Sequence, residues 1–99
     1  MSQLLQELES RWRKMFSVLL DGGDLPPSEL LRAEGLMEAV VLTGELAPDL
    51  ILERMDAVYS EVYGCCLEQR FGSDWREFYP FPQIPFAGKR APVYPSTAD

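Results

Sequence analysis

The stretch QLLQELESRWRKMFSVLL, residues 3–20, decides the fold class. Leu4, Leu5, Leu8, Trp12, Met15, Phe16, Leu19 and Leu20 recur at three- and four-residue intervals, which lines them along one side of a helix. Glu7 with Arg11 and Glu9 with Arg13 stand four residues apart on the other side, where opposite charges support helical order. Gly22-Gly23 then supplies the stop. A helix of this kind must bury its apolar stripe against other elements, and the residues that follow provide them.

Leu25-Pro26-Pro27-Ser28 restarts the chain, since proline is tolerated in a first helical turn. Leu30, Leu31, Ala33, Met37, Val40 and Val41 predict a second helix over about 27–43, closed by Thr43-Gly44. Gly35 in its middle costs about 1 kcal/mol against alanine, which implies close packing with a neighbour. Pro48 opens a third helix, whose residues Leu50, Ile51, Met55, Val58, Tyr59, Val62, Tyr63, Cys66 and Leu67 form a broad apolar face as far as Phe71-Gly72. Ser73 can cap one short turn over 74–78. The connections at 21–26 and 44–47 are short enough to favour antiparallel neighbours. The expected fold is therefore all-α, a three-helix antiparallel bundle with a short fourth helical turn, in one helical domain over residues 1–77.

Residues 78–99 read differently. Between Pro80 and Pro95 stand five prolines with Phe81, Phe86 and Tyr94, and each proline removes a backbone donor and fixes φ. This is an extended tail, yet it is too apolar for a solvated linker. No acid lies between Phe78 and Ala98, whereas Lys89 and Arg90 do, so a weakly cationic aromatic strip follows an acidic body. Docking on its own bundle is the first expectation, because a domain this small gains from extra cover. Exchange across a homodimer and presentation to a different protein are the other two.

The charge is unevenly placed. Residues 1–20 hold two acids and three bases, but residues 21–68 hold eleven acids against Arg32 and Arg54, a balance of −9. A surface of that sign repels phosphate backbones, so nucleic acid is not an expected partner. Arg11-Trp12-Arg13-Lys14 is too small a basic patch to change this, and Trp12 belongs to the apolar stripe. No segment has the roughly 18 apolar residues of a membrane span, and no signal peptide is visible. Cys65 and Cys66 are the only cysteines; as neighbours on a helix they form no disulfide framework and read as small buried hydrophobes. A reducing cytoplasm is the expected setting.

The chain has no histidine, which removes the commonest general base and transition-metal ligand together. Carboxylates are the remaining constellation. Glu34 and Glu38 share a helix face at i,i+4, and Glu53 and Asp56 share one at i,i+3 on the next helix. Across residues 34–56 this arrangement loosely resembles the all-α nucleotide pyrophosphohydrolases of the MazG type, whose helices present an E-x-x-E and then an E-x-x-D element to a magnesium-bound nucleotide. Glu53-Arg54-Met55-Asp56 matches the second element, but Glu34 and Glu38 are separated by three residues instead of two. The resemblance implies Mg²⁺ held by Glu34, Glu38, Glu53 and Asp56; no basic cluster stands beside them to hold a triphosphate.

The preferred reading is a solvated acidic face without a cofactor. Glu34 with Glu38, and Asp49 with Glu53, are like-charge i,i+4 pairs whose mild repulsion a basic partner surface would relieve. The function expected from these features is that of a small acidic cytoplasmic protein-interaction module, a regulator, inhibitor or assembly factor without catalytic activity. Its candidate contact residues are Glu34, Glu38, Asp49, Glu53, Asp56, Phe81, Phe86 and Tyr94, and its partner is another protein or a second copy.

Overall fold

The computed structural model describes residues 3–85. Five helices follow in order: α1 (Gln3–Leu20), α2 (Pro27–Leu42), α3 (Pro48–Tyr63), α4 (Leu67–Phe71) and α5 (Trp75–Phe78), with no strand among the described residues. The fold is all-α, and its three long helices pack together. Their ends obey local chemistry. Gly22 adopts φ 85°, so the amides of Gly22 and Gly23 turn back to the carbonyls of Leu19 and Val18 and close α1. Pro27 and Pro48 stand in the first turns of α2 and α3, where the missing N–H has no helical partner to lose.

α1 is the central element. It packs on both α2 and α3, while those two meet each other little. Leu5, Leu8, Trp12, Met15 and Phe16 of α1 are buried with Ala33, Met37 and Val40 of α2 and Ile51, Leu52, Met55, Val58 and Tyr59 of α3. Ion pairs record the directions. Glu9 meets Arg54 at 2.8 Å and Arg13 meets Glu61 at 2.7 Å, so numbering rises together along α1 and α3, which run parallel. Arg11 lies 3.9 Å from Glu29, with Val18 near Leu25 and Glu7 near Leu36, so α2 runs the other way. The exposed Arg13–Glu61 pair and the 3.9 Å Arg11–Glu29 contact add little stability, and the Arg54–Glu9 pair is half-buried.

Leu67, Trp75 and Ile84 complete the core. An aromatic series, Phe16–Tyr59 at 5.1 Å, Tyr59–Tyr63 at 4.2 Å, Tyr59–Phe71 at 6.2 Å and Phe71–Tyr79 at 5.8 Å, ties α1 through α3 and α4 to the chain after α5. Burial pushes the Tyr59 phenol up to about 12, an effect that nearby Arg70 partly opposes. Beyond α5 the first part of the proline-rich segment lies on the same bundle: Ile84 and Pro85 are buried and Phe81 is half-buried against the core.

Several sequence expectations need correction. The third helix does not continue to Phe71; Gly64 takes φ 78° and breaks it, so Cys65 and Cys66 occupy a loop rather than a helix, and both are half-buried. Ser73 does not cap the last turn, which begins after Asp74 without a side-chain cap. Leu31 and Leu50 leave the apolar faces assigned to them, at 65% and 46% exposure.

Gly35 is also not a close-packing residue. It is exposed, and a Cβ built there would meet nothing within 4 Å among the described residues. Because its backbone is helical and its surroundings are open, Gly35→Ala is expected to stabilise the protein by about 0.5–1 kcal/mol, read as a higher urea midpoint at unchanged slope. A loss of stability would show that this position is covered by something outside the bundle.

Candidate functional site

The structure divides the predicted acidic residues into two groups. Glu34, half-buried on α2, accepts the backbone N–H of Ile84 at 3.2 Å. Asp56 on α3 accepts the backbone N–H of Leu67 at 2.8 Å, which secures the start of α4 where its own helix cannot. Both carboxylates thus satisfy buried amides. Glu38, Asp49 and Glu53 point to solvent; Asp49 is 86% exposed and only 3.9 Å from Arg76 at its nearest.

Glu34, Glu38, Glu53 and Asp56 are not brought together. Among the described residues no group of three or more histidine, cysteine, aspartate or glutamate side chains could hold a metal ion. The convergence that the resemblance implied is absent from this arrangement. Phe81 turns toward the core rather than outward, and Phe86 and Tyr94 lie outside the described residues.

A surface that the sequence reading did not assemble lies between α1 and α3. A groove of about 540 Å³ is lined by Leu46, Leu50, Ala57 and Val58, with Glu53 among them. Its rim consists of satisfied pairs. Arg13 donates to both carboxylate oxygens of Glu61, at 2.7 and 3.2 Å, and Arg54 donates to Glu9 at 2.8 Å. The hydrogen bond from Arg13 holds the Glu61 carboxyl below the usual range and raises the Arg13 guanidinium in return.

Glu53 has no such partner among the described residues, so it is the uncompensated charge of the groove. Leu50 stands one helical turn from it and exposes nearly half its surface. The signal for this was present in the spacing. Leu50 falls off the Ile51–Met55–Val58–Tyr59 stripe and shares the Glu53–Ala57 side instead, a distinction lost when Leu50 is counted into one broad apolar face.

A second groove, of about 450 Å³, runs between α1 and α2, where Arg11, Lys14 and Arg32 face Glu7, Asp24 and Glu29 in equal number. Among the described residues no helix is long and apolar enough to cross a membrane. Comparisons with family models, curated proteins and solved structures find no match to this chain.

Proposed function

We propose that this chain is a small protein-interaction module, a regulator, inhibitor or assembly factor of the cytoplasm, that receives a cationic amphipathic segment of a partner protein on the outer side of α3. The observation that carries this reading is the pairing of exposed Leu50 and exposed Ala57 in the α1–α3 groove with Glu53, which has no partner among the described residues. A partner helix laid there would cover apolar surface at about 25 cal/mol per Å² and bring a lysine or arginine to Glu53. The net charge of −7 would steer such a segment toward the molecule and make its association sensitive to salt.

The paired-carboxylate hydrolase supplies no second reading. Two of its four ligands, Glu34 and Asp56, already serve backbone amides.

Affinity capture from the native lysate tests the proposal with Leu50→Asp, Glu53→Lys and wild type in parallel. The wild type is expected to retain a protein partner that both variants lose, with less retained as salt is raised. Equal retention by either variant, or no partner for the wild type, would count against it. Light scattering on the captured species separates a second copy of this chain from a different protein.

A further inference from the structure

Gly64 releases the chain from α3, and this changes what the two cysteines can do. Cys65 and Cys66 are both free and half-exposed, in a loop whose backbone is extended at Cys66, with φ −83° and ψ 167°. Cys65 leans on the edge of the core, and Cys66 is the N-cap of α4. The Cys66 N–H donates to Oε1 of Gln69 at 3.1 Å, and the Cys66 sulfur faces the backbone amide of Gln69. Neither thiol serves the groove described above.

The donor set is as informative as the sulfurs. Zinc in a structural site takes four ligands, commonly thiolate and imidazole, and among the described residues no third cysteine, histidine or carboxylate closes on this pair. Two adjacent thiols alone suit a soft centre that is content with two sulfurs. We propose that Cys65-Cys66 is a dithiol site for a thiophilic centre of this class, a trivalent arsenical being the member that reports it.

The chemistry balances without an oxidant. With an arylarsenoxide, each S–H bond is replaced by an S–As bond, and the two thiol protons leave with the arsenic-bound oxygen as one water. Arsenic stays trivalent. Closing that ring draws the Cys66 sulfur away from the Gln69 amide, so occupancy of the site is felt at the first turn of α4.

Titration of the reduced protein with phenylarsine oxide, followed by native mass spectrometry, tests this. One arsenical per chain is expected, displaced by dithiothreitol and resistant to an equivalent monothiol. Cys65→Ser and Cys66→Ser should each bind about 10²-fold more weakly, because the second sulfur acts at a high effective concentration. Serine is itself a good N-cap, so Cys66→Ser should keep the wild-type circular dichroism and isolate chelation from folding. Amide exchange over residues 67–71 should quicken on binding. A wild type that binds no more tightly than the single variants, or takes two arsenicals, would overturn the proposal, as would stoichiometric zinc binding by the monomer.

Discussion

Replacing Ile84 by alanine is expected to lower the unfolding free energy by about 2–5 kcal/mol, the range for emptying a buried aliphatic site. Ile84 is only 3% exposed, Pro85 beside it is fully buried, and the Ile84 amide is anchored on Glu34. Were this part of the chain a loose extension, the same substitution would fall within about 0.5 kcal/mol of wild type. The two outcomes are far enough apart for urea denaturation to separate them. Glu34→Ala provides the companion measurement: it leaves the Ile84 N–H without its acceptor and should cost about 1–3 kcal/mol by a different route. A small effect at both positions would mean that the segment after α5 contributes no cover to the bundle in solution.

At Trp12 the size of the replacement side chain should matter more than its presence. Trp12 is fully buried in the core from the centre of α1, so Trp12→Ala should cost about 3–5 kcal/mol. That is a large share of the roughly 5–15 kcal/mol available to a domain. Its indole N–H, however, finds no acceptor among the described residues. An unpaired buried donor carries a penalty of about 1–3 kcal/mol, which phenylalanine would remove while leaving a smaller void. Trp12→Phe is therefore expected within about 1 kcal/mol of wild type. A loss above 3 kcal/mol for Trp12→Phe would show that the indole N–H is bonded after all.

The long helices were legible because their signals are local and redundant. In residues 3–20 the apolar period, the Glu7–Arg11 pair and the Gly22-Gly23 stop all agree, and α1 is found over Gln3–Leu20, although Glu9 and Arg13 bond to Arg54 and Glu61 of α3 rather than to each other. Proline in the first turn placed the starts of α2 and α3 for the same reason. The break at Gly64 was hidden because Val62, Tyr63, Cys66 and Leu67 continue the apolar spacing across it. What makes the break affordable is remote: the Leu67 amide bonds to Asp56, eleven residues earlier, a partnership no periodicity reports.

The acidic residues illustrate the same limit on the site. Their spacing on each helix could be read, but whether a carboxylate faces water or a buried amide depends on where another segment arrives. Glu34 and Asp56 are claimed by Ile84 and Leu67, and Glu38 and Glu53 are not. Gly35 shows a related limit. Its energetic cost is visible in one dimension, but the empty space around it is not.

The central position of α1 also sets an order of events during synthesis. α2 follows after a six-residue connection, over residues 21–26, and can fold back at once, but the contacts with α3 join residues 45 and 48 positions apart. At roughly 5–20 residues per second, α1 waits a few seconds for its second neighbour. Through that interval the Phe16 side of α1, later enclosed by Tyr59 and Tyr63, is the sticky surface of a half-made protein. A nascent-chain chaperone would meet it there first, before the groove beside Leu50 has come into existence.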